Sequence, residues 1–305
     1  MKSGRVKYFI AAISSAVIWG FVFIPLRNLR EFSAEQILYY RIITSFIITW
    51  IITLLLRRQK VRSDIDYIRA QSGKQRNQLL VLTVVGGILI TGNWFSFIYA
   101  VNSVSLKSAA FAYMICPLIT ALSGFLILKE QLSKVKILAI GIAFISILIL
   151  AKGSAFEVMW SVFIASFYAF HLIIQRVIRH IDKFNMLSVQ LAIATILMLP
   201  LFIYQFNGIP HQAYFWLNIL VIAVVFTIVP LFLSMYSLIG ISSSTSGIII
   251  YINPIISFAV AFFYFGERVG SLQLFAYSLL LVAVIVFNLA FIKEFFNKSS
   301  DQVQA

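Results

Sequence analysis

Apolar residues run along this chain in ten blocks parted by short polar stretches. The blocks fall at about residues 7–26, 36–56, 79–101, 107–128, 134–151, 158–175, 185–204, 215–237, 245–265 and 272–292. At a helical rise of about 1.5 Å per residue, each is long enough to cross a hydrocarbon core about 30 Å thick. The pattern predicts an all-α integral membrane protein with ten transmembrane helices. Ser33, three residues before Gln36, supplies a capping box at the start of the second block. The longest polar stretch, 57–78, is basic, shows no packable face and reads as a cytoplasmic tether held to anionic lipid headgroups. Residues after Asn297 read as a disordered tail.

One stretch occurs twice. Tyr99 to Gln131, moved along by 137 positions, lands on Tyr236 to Arg268. Tyr99, Ser105, Ile115, Pro117, Ile119, Phe125 and Glu130 then fall on Tyr236, Ser242, Ile252, Pro254, Ile256, Phe262 and Glu267. Both copies are apolar runs broken by a proline and closed by a glutamate. A proline inside a helix removes a backbone donor and crowds the carbonyl four residues back, here those of Tyr113 and Ile250. Each proline lies ten residues into its run, roughly 15 Å deep and near the membrane midplane. Interrupted helices at matching places in two halves point to a transporter's binding site.

Five spans per half is an odd number, so the second half enters with the opposite orientation. The predicted organisation is two inverted five-helix repeats, 1–151 and 152–293, followed by a cytoplasmic tail, 294–305. Lysine and arginine counts set the direction. With a cytoplasmic N-terminus, the inner segments hold 18 of these bases and the outer loops 5. Both termini are then cytoplasmic, in the cell's inner (plasma) membrane. The early spans match more faintly, with residues 15–20 opposite residues 165–169.

Composition agrees. The chain of 305 residues is 61% hydrophobic and only 11% charged, against about a quarter charged in a soluble domain. The net charge of +14 sits in short loops between apolar runs, with no aromatic interleaving, which argues against nucleic acid. The single cysteine, Cys116, excludes an intrachain disulfide and a thiolate metal cluster, and no cofactor is expected. The basic start followed by an apolar run reads as a retained first span, because no small-residue cleavage site follows it.

Several pieces together resemble the EamA-type branch of the drug/metabolite transporter superfamily, and within it the RarD-like members. They are Trp19-Gly20 with Pro25, Gly92-Asn93-Trp94 through Ala100-Val101-Asn102, and Ala109-Ala110-Phe111 through Pro117 with Glu130. Val229-Pro230-Leu231 and Tyr251-Ile252-Asn253-Pro254 with Gly266-Glu267 complete the set. The resemblance implies ten helices in two inverted repeats, a central cavity between them, and transport of small metabolites, often outward. The sequence departs at Cys116, where RarD-like proteins tend to carry asparagine.

Candidate substrate contacts are polar or aromatic residues at membrane depth. Arg41, the one charge well inside a span, suits a substrate carboxylate, or else caps carbonyls of a neighbouring helix. Asn93, Trp94 and Tyr99 follow one another along the third span, with Tyr236 matching Tyr99 in the repeat. Tyr113, Tyr251 and Asn253 sit within a turn of the prolines. Trp19 lies too deep for an interfacial belt and packs internally or walls a cavity; Trp50 and Trp216 suit that belt. His171 shares a helical face with Tyr168 and Gln175, and is either a coupling-proton carrier or a structural hydrogen-bonding group. Pro117 and Pro254, with Glu130 and Glu267 at the helix ends, are the gating or structural candidates.

The sequence therefore reads as a secondary transporter, with export favoured. Its substrate is a small amphipathic metabolite, such as an amino acid or a toxic compound, handled by alternating access at a central cavity. Its expected partners are that substrate and membrane lipids, and the sequence leaves open coupling to a proton, coupling to a counter-substrate, or no coupling at all. The competing reading is a membrane-embedded enzyme acting on a lipid or isoprenoid substrate. Such an enzyme needs acids, histidines or metal ligands clustered at one membrane face; the loops offer Asp64, Asp66 and Asp182 and no His/Asp constellation, so no enzymatic activity is expected.

Overall fold

The computed structural model describes residues 5–103, 106–150, 155–204, 206, 208–264, 266 and 271–289. Glu267 and the tail lie outside the described residues. The described chain is all-helical, and eleven helical segments account for it. We label them α1 (Val6–Gly20, continued by Phe23–Arg27), α2 (Ala34–Leu56), α3 (Arg58–Ala70) and α4 (Gly73–Ser103). Next come α5 (Leu106–Leu128), α6 (Lys134–Leu150), α7 (Ala155–Val177) and α8 (Lys183–Tyr204). The last three are α9 (Ala213–Gly240), α10 (Ser243–Tyr264) and α11 (Ser271–Phe287). Six segments are long and apolar enough to cross a membrane by length and composition.

Ten of the eleven coincide with the apolar blocks. The extra one, α3, corrects the expectation that 57–78 is a tether with no packable face. Its inner face does pack: Asp64 accepts from the Asp182 N–H (3.1 Å) and from Asn185 Nδ2 (2.7 Å), and Tyr67 stacks on His180 at 5.9 Å. Arg57 anchors the entry to α3, donating to both carboxylate oxygens of Asp182 at 2.9 and 2.8 Å. At the start of α2, Ser33 Oγ accepts from the Gln36 N–H (3.2 Å), as the capping pattern predicts.

The prolines have unequal effects. α5 runs through Pro117 without interruption. α10 breaks at Ile250 and Tyr251, four and three residues before Pro254, then resumes as Ile252–Ala259 and a wider π turn over Val260–Tyr264. The carbonyl that Pro254 leaves free, that of Ile250, accepts from the Asn253 N–H at 2.9 Å instead. α9 has its own π turn over Val224–Ile228, just ahead of Pro230. Pro230 frees the Phe226 carbonyl, and the Trp19 indole N–H takes it at 3.1 Å. A freed carbonyl is tolerable at membrane depth when a neighbouring helix satisfies it, and here Trp19 of α1 does so.

Across the bundle, α5 packs on α7 and α10 on α1. Likewise α4 packs on α7 and α9 on α1, while α4 meets α8 and α9 meets α2. The remaining main contacts are α2 with α8, α5 with α10, and α6 with α11. The start of α1, the ends of α5, α7 and α9 and the start of α10 gather at one end. Tyr8 lies against Tyr236 there, and Arg176 donates to the carbonyls of Leu238 and Ile239. α1 thus leaves the end that α7 approaches.

α5 and α10 meet at Gly247. A Cβ at that position would lie 2.8 Å from Thr120 Cβ and 3.3 Å from the Pro117 carbonyl oxygen. Only a glycine lets the two proline-bearing helices come this close.

Candidate functional site

Three helices, α4, α7 and α8, converge on Gly86 of α4. His171 Nδ1 lies 3.0 Å from the Gly86 carbonyl oxygen. A carbonyl only accepts, so the hydrogen is on Nδ1 and Nε2 of the neutral ring carries a lone pair. A Cβ on Gly86 would sit 2.5 Å from Gln190 Nε2 and 3.3 Å from Gln175 Nε2. The missing side chain is what lets the two amides, from α7 and α8, close on the α4 backbone.

The three polar side chains are almost entirely enclosed, at 1% (His171), 0% (Gln175) and 1% (Gln190) exposure. His171 Nε2 and both amide atoms of each glutamine have no protein partner. A buried polar group left unpaired costs about 1–3 kcal/mol, so this cluster is carried at the expense of stability. His171, Gln190 and Trp94 line a narrow cavity of about 10 Å3, together with Ile90, Leu187, Leu191, Leu231 and Met235. At that size it holds no metabolite, and the helices must part to admit one.

Trp94 connects this cluster to a second polar feature. The Arg41 guanidinium lies over the Trp94 ring, 5.3 Å from its centroid, and Arg41 Nε is buried without a partner. A guanidinium on an aromatic face is held by the ring's quadrupole, and the unpartnered Nε–H of Arg41 is the donor it has left for a carboxylate. Tyr168 completes the wall. Its ring stacks on His171 at 5.9 Å, meets Trp19 edge-on at 5.9 Å, and its hydroxyl lies 3.4 Å from Ser234 Oγ.

The candidates from sequence divide accordingly. Arg41, Trp94, Tyr168 and His171 come together, joined by Gln175 and Gln190. Trp19 backs the wall while its N–H is spent on Phe226. Asn93 is buried and donates to the Ile164 carbonyl (2.9 Å), tying α4 to α7. Tyr113 packs on Phe97 at 5.3 Å. Tyr251, fully buried at the α10 break, has a hydroxyl with no partner. Asn253 Oδ1 accepts from Ser257 Oγ at 3.1 Å, and that serine also lies 3.3 Å from the Gly20 carbonyl oxygen of α1.

Two candidates stand apart. Tyr99 is 44% exposed and lies against Trp160 on the bundle's outside. Tyr236 stacks between Tyr8 and Phe232 at the bundle end. Trp50 and Trp216 donate to the carbonyls of Ser188 (2.9 Å) and Pro210 (2.8 Å).

Glu130 occupies a site of a different kind. A left-handed turn at Lys129 (φ 54°) ends α5 and lets the Glu130 N–H reach the Gly124 carbonyl at 3.1 Å. Its carboxylate crosses to the start of α10. Oε1 accepts from the Ser243 N–H (2.7 Å) and Oγ (2.9 Å), and Oε2 from the Ser244 N–H (2.9 Å) and Oγ. An acidic residue at the end of its own helix opposes that dipole, but here it complements the positive end of another. Sequence reasoning missed this pairing, and it missed Gln190, whose only signal was an amide within an apolar run. It also missed Lys183, whose buried ammonium caps the end of α7 at the carbonyls of Gln175 (3.0 Å) and Ile178 (2.6 Å).

Comparison with known proteins adds a family. The model of the EamA-like transporter family matches the chain twice, at residues 6–152 and 155–289. A Bacillus subtilis protein named Uncharacterized transporter YojE is 29% identical over 286 residues, 92% of each chain. Protein RarD of Escherichia coli is 26% identical over 291 residues, 91% of this chain and 92% of that one. Protein RarD of Streptomyces exfoliatus is 28% identical over 280 residues, 88% and 84%. A solved crystal structure superimposes with a TM-score of 0.75 at 11% identity, over 94% of this chain and 98% of that one, a likeness of fold alone.

Proposed function

The chain belongs to the EamA-like transporter family and is a multi-pass membrane protein, and from that premise we propose that it exports a small amphipathic metabolite by alternating access. The two halves, 1–151 and 152–293, act as inverted five-helix repeats that rock about the Trp94–His171–Gln175–Gln190 cluster. Two observations support the repeat. The family model matches each half separately. Moreover, the contacts α5–α7, α4–α7 and α4–α8 have the counterparts α10–α1, α9–α1 and α9–α2 under exchange of the halves. α3 falls outside that correspondence, as an insertion in the first half.

The observation that carries the substrate reading is the enclosed set of unpartnered polar atoms on His171, Gln175 and Gln190. A solute with donors and acceptors satisfies them, and Trp94 offers its apolar part a flat face. Arg41, over the same ring, takes the carboxylate of an acidic or zwitterionic solute, such as an amino acid. A coupling proton, if one is used, has His171 Nε2 as its acceptor in this site; a counter-substrate would occupy the same cluster. The basic bias supports a cytoplasmic Glu130 end with both termini inside, and we assign the protein to the plasma (inner) membrane. The enzyme reading gains no support, because the relatives are named as transporters.

Flux into proteoliposomes tests the assignment of Arg41. With a panel of amino acids and hydrophobic amines, Arg41→Gln is expected to slow carboxylate-bearing solutes by about tenfold, the worth of one charge-assisted hydrogen bond. Amines should be left near the wild-type rate. Equal losses across the panel would return Arg41 to a structural role.

A further inference from the structure

The outer face of α3 is unspent by anything described above. Asp64 and Tyr67 fix the helix against the α7–α8 connection, so the opposite face is presented in one orientation. That face carries Arg58, Arg62, Ile65 and Arg69, spaced three or four residues apart, with Val61 four before Ile65, and hence aligned along one stripe. It borders a groove of about 570 Å3 between α3 and the end of α2. Arg58, Arg62 and Arg69 line the groove with a single acid, Asp66, while Leu54, Val61 and Ile65 form its apolar floor.

The groove sits where the bilayer ends. α2 finishes in Leu54, Leu55 and Leu56, which are 52%, 64% and 81% exposed on a helix long and apolar enough to span. Such residues face acyl chains. Arg58 begins the polar helix immediately beyond them, and its Nε donates to the Leu54 carbonyl (2.6 Å), holding the guanidinium over the junction. An apolar floor continuous with lipid-facing leucines, topped by three arginine forks, matches one kind of ligand: a phosphodiester with hydrocarbon attached. Arginine forks engage phosphate oxygens bidentately, and each basic residue at a membrane surface adds attraction to anionic lipid.

We propose that this groove is a binding site for an anionic phospholipid, its phosphate held by Arg58, Arg62 and Arg69 and one acyl chain lying along Leu54. The bound lipid clamps α3 to α2, so it steadies the end of the bundle at which Glu130 and Asp182 act. The site is independent of the solute pathway and stands whether or not transport is observed.

Native mass spectrometry of the full-length protein tests it, after equilibration with mixed micelles of phosphatidylglycerol and phosphatidylcholine. The wild type should retain a single phosphatidylglycerol in preference to phosphatidylcholine by about thirtyfold, the net of three arginines and one acid. The variant with Arg58→Gln, Arg62→Gln and Arg69→Gln should lose that preference while keeping its helical circular dichroism. Equal retention of the two lipids by the wild type would overturn the proposal, and so would an undiminished preference in a folded triple variant. If that variant does not fold, Ile65→Asp, which places an acid in the groove, should abolish the preference by itself. Inorganic phosphate competing the lipid off would keep the phosphate cradle but remove the role of the apolar floor, and with it the phospholipid.

Discussion

Glu130→Ala should destabilise the protein more than any other single polar-to-alanine change outside the spans. The carboxylate satisfies two backbone N–H groups and two hydroxyls at the start of α10, and Ser243 and Ser244 are 0% and 1% exposed. Water cannot replace it without entering the bundle. Hydrogen bonds to a charged group contribute about 1.5–3 kcal/mol each, and a lost helix cap about 0.5–2 kcal/mol. Because the four bonds share one carboxylate, a net loss of about 3 kcal/mol is expected. Thermal unfolding in detergent should then move down by roughly 5 °C. Glu130→Gln, which keeps one acceptor oxygen, should give about half that shift. An alanine variant that melts with the wild type would show that the cross-half cap contributes nothing.

The second large effect has opposite signs for stability and for transport. In the double variant Gln175→Met, Gln190→Met, side chains of similar length replace two enclosed amides that have no protein partner. Removing unpaired polar groups from an apolar setting is neutral or stabilising, so the variant should melt at or above the wild-type temperature. Its substrate flux in proteoliposomes should fall about a hundredfold, the worth of two lost hydrogen bonds of about 1.4 kcal/mol each. A structural pair would behave otherwise, with stability falling and the flux per folded molecule preserved. That outcome would remove the cluster from the solute pathway.

The parts of this architecture legible in the sequence are those set by the bilayer. Ten apolar blocks give their number and approximate ends because an apolar run must match a hydrocarbon thickness. The proline pair locates the α5–α10 crossing, since a lost N–H is a local fact that no packing erases. What such a proline does to its helix is not local. Pro117 is absorbed by an unbroken α5, whereas Pro254 breaks α10 and Pro230 hands the Phe226 carbonyl to Trp19. α3 is not legible in the sequence as a packed element, because it has no buried apolar stripe. Its docking rests on Asp64, Tyr67 and their partners at 180–185, more than a hundred residues away. Gln190 and Gly86 escaped for the same reason: a glutamine and a glycine in apolar runs acquire meaning only when α4 and α8 bring the amide to 2.5 Å from where a Cβ on Gly86 would lie. Glu130 drew notice by repetition, yet its partner serines on α10 were beyond any local rule.

Alternating access as proposed requires the halves to separate at the Glu130 end to pass a solute between them. A Cβ on Gly124 would lie 2.6 Å from Ser243 Oγ, so Gly124→Cys and Ser243→Cys, in a Cys116→Ser background, place two thiols across the halves at bonding distance. The decisive measurement is solute flux through proteoliposomes containing this variant, before oxidation, after it, and after reduction. Flux should cease when the disulfide forms and return when it is reduced. Undiminished flux through a fully cross-linked protein would mean that this end never opens, and that the solute does not pass between the halves.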